Sequence, residues 1–205
     1  MTAEELAQAV MTSVHRAGLV EVEASARHVH LSQEHAELLF GPGAALTPSR
    51  PLSQPGQFLS QQRVTLIGPK GRKEHIAVLG PARTATQVEL SRSDCMELGV
   101  RAPLRESGDV AGSGAIVIEG PCGTLKLKEG VIIAHNHIHV TAPDSVLLNL
   151  RDKQRVSVAL LTERPVVFRD VIIRVSTQFS CKMHIDFDEA NAAMVNGFAL
   201  GKIIR

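Results

Sequence analysis

The stretch Ala134-His135-Asn136-His137-Ile138-His139-Val140-Thr141 places three of the chain's nine histidines within five residues. Successive side chains of a strand point to opposite faces. As one extended run, it puts His135, His137 and His139 in a row on one face, with Asn136, Ile138 and Val140 on the other. A row of neutral imidazoles is a metal-ligand set. The run is internal and embedded in apolar sequence, so it does not read as a purification tag.

A related stretch, Arg27-His28-Val29-His30-Leu31-Ser32, lies nearer the start. Both read as strand, His-x-His, apolar residue, hydroxyl residue, helix. The recurrence is near half the chain length, which suggests two related barrel halves. The same local grammar appears at two further places. His30-Leu31-Ser32 is followed by His35, Glu89-Leu90-Ser91 by Asp94, His139-Val140-Thr141 by Asp144, and His184-Ile185-Asp186 by Glu189. Each has a potential ligand, an apolar residue and then a helix N-cap residue, and three have a carboxylate three positions past the cap. A strand end fixes a side chain and a cap fixes how the chain leaves, so each is a rigid post for a ligand. Taken singly, Glu89 reads as a solvated strand residue and His184 as an ordinary core or surface histidine. The shared pattern makes both candidates. Five histidines and one carboxylate exceed the four ligands of a single tetrahedral zinc. They suit two metals with Glu89 bridging, and the open positions mark a catalytic rather than a structural centre. Nitrogen-rich ligation favours Zn²⁺. His15, His35 and His75 lack this context and read as surface residues.

Composition narrows the class. The chain has 205 residues, 44% of them apolar, enough for one large or two small domains with a packed core. Six Phe, no Trp and no Tyr argue against base stacking, and Lys+Arg 22 against Asp+Glu 21 leaves no basic field for nucleic acid. A small anion needs only one or two placed arginines. No apolar run is long enough to span a membrane. Cys95, Cys122 and Cys181 have no paired spacing and read as buried small apolar residues of a reducing, cytoplasmic compartment.

The elements that must position these residues are short. Residues 3–16 have helical periodicity, with Glu4 and Glu5 at the start and Arg16 near the end. This helix either packs on the body or serves as an address peptide. Val20 to Val29 reads as one strand, 33–40 as a helix and 41–57 as a Gly/Pro/Ser-rich loop. Arg63–Ile67 and Glu74–Leu79 form a hairpin around Gly68-Pro69-Lys70-Gly71, which Gly80-Pro81-Ala82-Arg83 ends. Gln87–Leu90, Ala115–Glu119, Thr124–Lys128, Gly130–Ala134, Arg155–Leu161 and Val166–Val175 read as strands. Residues 92–98, 143–150 and 187–196 read as helices. Many short strands with short helices between them describe barrels or sandwiches rather than a doubly wound sheet.

At these residues the sequence resembles a known family, the phosphotransacylase of bacterial microcompartments (phosphate propanoyltransferase type, PduL-like). The matching stretches are Arg27–Ser32, Gln54-Pro55-Gly56-Gln57-Phe58, Gly68–Gly71, Leu79–Arg83, Thr86–Glu89, His137–His139, and His184–Asp186 running on to Asp188–Ala193. The resemblance implies a mainly β fold of two six-stranded β-barrel halves with short capping helices and the active site between them. Expected boundaries are an N-terminal helix over 1–18, a first barrel of 19–26 plus 135–205, and a second barrel of 27–134. It implies a dinuclear zinc site: His28, His30 and Glu89 hold one ion, completed by the sulfur of coenzyme A, and His137, His139 and His184 hold the other, sharing Glu89. Arg83 resembles the arginine that holds phosphate. The implied reaction is acyl-CoA + phosphate ⇌ acyl phosphate + CoA, with a short acyl chain such as propanoyl or acetyl. A microcompartment lumen, shell or core proteins as partners of the N-terminal helix, and a homo-oligomer are further expectations. Asn136 stands where the family carries Arg, and Ala26 where it carries Asn. His135 receives no role. The rival reading is a dinuclear metal hydrolase of esters or amides.

Overall fold

A computed structural model describes residues 2–204. Five helices punctuate the strands: α1 (Ala3–Arg16), α2 (Gln33–Phe40), α3 (Arg92–Leu98), α4 (Ala142–Leu148) and α5 (Phe187–Ala192). The strands are β1 (Leu19–Ser25), β2 (His28–Ser32), β3 (Pro48–Pro51), β4 (Phe58–Ile67), β5 (Arg72–Arg83), β6 (Gln87–Glu89) and β7 (Leu104–Arg105). They continue as β8 (Gly114–Glu119), β9 (Thr124–Ala134), β10 (His137–Val140), β11 (Arg155–Leu160), β12 (Val167–Val175), β13 (Lys182–Asp186) and β14 (Ala199–Ile204). No helix among the described residues is long and apolar enough to cross a membrane.

The chain divides into two units. The first takes the residues up to Ser25 and from Asn136 on, and the second is Ala26–His135. In the first unit, β1, β13, β10, β12, β11 and β14 close into a six-stranded barrel. Its core includes Val20, Val22, Ile138, Val140, Val158, Ile173, Met183 and Ile185. In the second unit, β4, β5, β2, β6, β9 and β8 pair in turn, and β8 returns to β4, which closes a second ring. β3 adds to β4, and β7 to β9. Its core includes Val29, Leu31, Leu66, Val78, Val88, Ile118 and Val131.

The two rings have the same pairing pattern. β2 is parallel to β5 and antiparallel to β6, and β6 is parallel to β9. β10 is likewise parallel to β12 and antiparallel to β13, and β13 is parallel to β1. The repeat read from the two His-x-His stretches is therefore a repeat of topology. It also explains two departures from expectation. Val20–Val29 is not one strand: it breaks at Ala26-Arg27, and β1 and β2 enter different rings. The histidine run is not one strand either. β9 ends at Ala134 and β10 starts at His137, so His135 falls in the gap and belongs to the second unit.

Other local readings were redrawn by packing. β5 continues through Gly80-Pro81 to Arg83, because β4 pairs with it as far as Gly80 and Ser32 of β2 pairs with Arg83. β3 forms inside the Gly/Pro/Ser-rich loop, and α5 stops at Ala192. β14 had no alternating signal of its own; Gly201 lets it lie against Val158, Leu160 and Val22, where a Cβ would sit 2.5 Å from Val158 Cγ1. Cys95 and Cys181 are buried as expected, but Cys122 is exposed, at a turn whose N–H donates to Leu39 O. His75 is exposed as expected. His15 is buried, and the His35 ring is partly buried with Nδ1 2.7 Å from Thr86 Oγ1. Neither of those two is a plain surface residue.

Candidate functional site

All four posts have the structure their sequence grammar implies. Ser32, Ser91, Thr141 and Asp186 are the N-caps of α2, α3, α4 and α5, each in extended conformation. Each cap oxygen accepts the backbone N–H three residues on: His35, Asp94, Asp144 and Glu189. Asp94 and Glu189 reach back to the cap N–H and complete capping boxes. The ligand candidate two residues before each cap is thus held between a strand and a pinned helix start.

In the second unit, Val29 and Leu31 turn into the core, so His28 and His30 share the opposite face of β2. His28 is the register partner of Glu89 across the antiparallel β2–β6 pair. His28 Nε2 lies 3.5 Å from Glu89 Oε2, and one ligand atom from each of His28, His30 and Glu89 lies within 4.8 Å of the others. His28 Nδ1 is 2.8 Å from the Ala26 carbonyl oxygen. A carbonyl only accepts, so Nδ1 carries the hydrogen and Nε2 keeps its lone pair for a cation. Burial first, then the neighbouring His28 and Arg83, holds His30 well below the usual imidazole pKa, and so neutral. A neutral imidazole is the ligand form.

Sequence reasoning missed the residue that orients Glu89. Gln87 is 2% exposed. Its Nε2 donates to Glu89 Oε1 at 2.6 Å and to Ser107 Oγ at 2.9 Å, while its Oε1 accepts from Gly108 N at 2.7 Å. The available signal was a polar residue two positions from Glu89, hence on the same strand face. Arg83 donates from one Nη to the same Ser107 oxygen at 3.3 Å. It also lines a cavity of about 270 Å³ with His30, Gly56, Gln57 and Gly80. Gly80 has no room for a side chain there, because a Cβ would lie 2.2 Å from the Phe58 ring.

In the first unit, Ile138 and Val140 turn into the core, and His137 and His139 face the other way. His137 is the register partner of His184 across the antiparallel β10–β13 pair, as His28 is of Glu89. The ring centroids of His137, His139 and His184 are 4.6, 5.3 and 4.9 Å apart pairwise. Burial pushes the His139 pKa down to about 2, with His137, His184 and Arg174 adding to the effect. Its ring packs on Phe179 at 4.1 Å between centroids, and the Arg174 guanidinium stands 5.8 Å from the Phe179 centroid. Arg174 and Phe179 had not been singled out. Arg174 is legible only from register, as the β12 partner of His139. Asn136 donates to Glu189 Oε1 at 2.6 Å, so this side chain is tied to the α5 capping box. His135 lies outside β10, and its backbone N–H donates to Arg105 O at 2.8 Å.

The six ligand candidates therefore form two sets, one per unit, each built from a His-x-His strand and one residue on the antiparallel neighbour. The first set offers imidazole nitrogen and carboxylate oxygen and the second imidazole nitrogen alone, both donor types of a divalent metal site.

A family model described as phosphate propanoyltransferase matches residues 21–196. The chain is 45% identical over 201 residues to a phosphate propanoyltransferase of Clostridioides difficile, covering 98% of this chain and 96% of that protein. It is 51% identical over 176 residues to the protein of that name from Thermotoga maritima, covering 85% and 84%. A Leptotrichia buccalis relative with the same name is 48% identical over 182 residues, covering 89% and 86%.

Proposed function

Because this chain belongs to the phosphate propanoyltransferase family, a family of phosphate acyltransferases, we propose that it moves a short acyl group, propanoyl or acetyl, between coenzyme A and inorganic phosphate at a two-zinc centre. The reaction is acyl-CoA + phosphate ⇌ acyl phosphate + CoA. The observation that carries this reading is the cavity shared by a ligand candidate, His30, and a phosphate-type arginine, Arg83.

His28, His30 and Glu89 would hold one ion, and His137, His139 and His184 the other. The residues fit such a cofactor. His28 Nε2 has its lone pair directed by the Ala26 carbonyl, and His30 and His139 are held in the neutral ligand form. When bound, zinc activates a thiol and polarises a carbonyl or phosphoryl oxygen. The chain's own residues do the rest. The Arg83 guanidinium fork suits a phosphate dianion and orients it. Ser107 accepts from Arg83 and from Gln87, so the proposed phosphate-binding arginine and the glutamine that holds Glu89 share one hydroxyl. The cavity has room for phosphate and a short acyl group, not for a whole CoA. The thioester end of the substrate is therefore the part that reaches His30 and Arg83.

The deciding experiment measures metal content together with free-thiol release from a panel of acyl-CoAs, with and without phosphate. Thiol release that requires phosphate and yields acyl phosphate is expected. Release in water alone identifies a hydrolase and removes the transferase reading.

The N-terminal helix supports a second part of the proposal. Leu6 and Val10 of α1 stand 49% and 52% exposed. Such an apolar stripe on a surface helix suits docking to shell or core proteins of a microcompartment. Appending residues 1–18 to a fluorescent carrier tests this: co-localisation with shell protein is expected, and diffuse fluorescence rejects it.

A further inference from the structure

The only buried residue of α1 is a histidine, while apolar Leu6 and Val10 of the same helix stay exposed. His15 is 5% exposed. Its Nδ1 lies 2.8 Å from Asp144 Oδ1, and its Nε2 is buried without a hydrogen-bond partner. A ring nitrogen and a carboxylate oxygen this close inside the protein can share either a proton or a cation. Asp144 is itself rigid: its N–H donates to the α4 cap Thr141, and its other carboxylate oxygen accepts from the Thr141 hydroxyl at 2.7 Å. The third member is the buried Cys181, which directly precedes β13. One ligand atom from each of His15, Asp144 and Cys181 lies within 4.8 Å of the others. The three come from α1, α4 and the entry to β13, all within the first unit.

We propose that His15, Asp144 and Cys181 form a further divalent-cation site of the zinc class, which fastens the end of α1 to the first barrel. Imidazole nitrogen, carboxylate oxygen and thiolate sulfur together suit a borderline cation such as Zn²⁺ or Co²⁺ rather than Mg²⁺ or Ca²⁺. Binding takes the neutral His15 ring through Nδ1, the nitrogen beside Asp144, with its single hydrogen on Nε2. Cys181 binds as thiolate, so the thiol proton is the one released to solvent. Three protein donors supply three of the four positions of a tetrahedral site, and its place at the end of α1, apart from the residues proposed for the reaction, gives it a fastening role. Met11 and Val14 of this helix are only partly buried, so a coordinate bond at position 15 would add to a modest apolar contact.

The site has a signature of its own, since the proposed catalytic ligands are histidines and a glutamate. Full-length protein is stripped with a chelator and titrated with Co²⁺ in the absence of coenzyme A. A thiolate-to-cobalt charge-transfer band in the near ultraviolet is expected, and its loss in Cys181→Ser and in His15→Gln. The band persists in Cys122→Ser, which lacks the exposed thiol, and in His28→Ala, which lacks a proposed catalytic ligand. Absence of the band in the unmutated chain, or its survival in Cys181→Ser, overturns the site. Limited proteolysis supplies a second readout, and His15→Gln lies outside the barrel ring should Cys181→Ser fold poorly. Chelation is expected to raise cleavage within residues 3–16 several-fold in the unmutated chain, and His15→Gln to be cut at that faster rate with or without metal. Equal protection of the helix under all these conditions overturns the fastening role.

Discussion

His28 and Glu89 are direct register partners across antiparallel β2 and β6, with Nε2 and Oε2 3.5 Å apart. A ligand pair set by strand register is preorganised by the barrel itself, because moving either residue by one position would turn it into the core. Glu89→Ala is expected to lower bound zinc by at least one equivalent relative to the unmutated chain and to cost activity at least tenfold to a hundredfold, the loss typical of even outer-shell partners. Metal analysis of the purified variant checks this. Zinc content equal to that of the unmutated chain would reject Glu89 as a ligand to either ion.

Arg83→Ala is expected to leave metal content unchanged and to raise the KM for phosphate by about tenfold to a hundredfold. A charge-assisted hydrogen bond is worth about 1.5–3 kcal/mol. Steady-state kinetics with phosphate varied at saturating acyl-CoA gives the number. If zinc is lost along with phosphate affinity, Arg83 holds the site together rather than the substrate.

Gln87 hydrogen-bonds Glu89, Ser107 and Gly108 and is the register partner of His30 across β2 and β6. Gln87→Leu keeps the volume and removes the polar contacts to Glu89. Zinc affinity is expected to fall by about tenfold to a hundredfold while the circular dichroism spectrum is retained. Unchanged metal affinity in a competition titration would leave Gln87 as a packing residue only.

The caps bear on stability as well as on position. Ser91→Ala removes the acceptor for the Asp94 N–H and is expected to cost about 1 kcal/mol, lowering Tm by a few degrees. Thermal unfolding of Ser91→Ala beside Ser91→Thr distinguishes capping from side-chain volume: Thr should recover most of the loss, and equal Tm values for Ala and Ser would deny the cap its role.

His139 gives the metal-free protein a pH dependence with a definite sign. Burial, with His137, His184 and Arg174 nearby, lowers its folded pKa to about 2, below the ordinary value of 6.5. Between these values the unfolded chain binds a proton that the folded chain does not, so stability falls as pH drops below about 6.5. Denaturant midpoints of chelated protein from pH 7.5 to 4.5 should decline, and less steeply in His139→Gln. Parallel declines would assign the acid sensitivity to other groups.

The sequence by itself determined much of this protein. The ligand–apolar–cap grammar at His30, Glu89, His139 and His184 depends on residues at most five apart, where strand alternation and capping operate, and all four caps formed. The mainly β class and the two-barrel repeat were also legible, since both rest on local patterns that recur. Tertiary structure decided what depends on partners far along the chain. Whether 134–141 is one strand or two turned on ring closure, and that removed His135 from the row. Gln87 became the support of Glu89 only once Ser107 and Gly108 were folded against it. His15 looked like an exposed helix residue because its burial comes from Asp144, 129 positions away. Periodicity reports which face of an element a residue occupies; which groups converge on that face is set by pairing and packing over long sequence separations, and no local pattern records it.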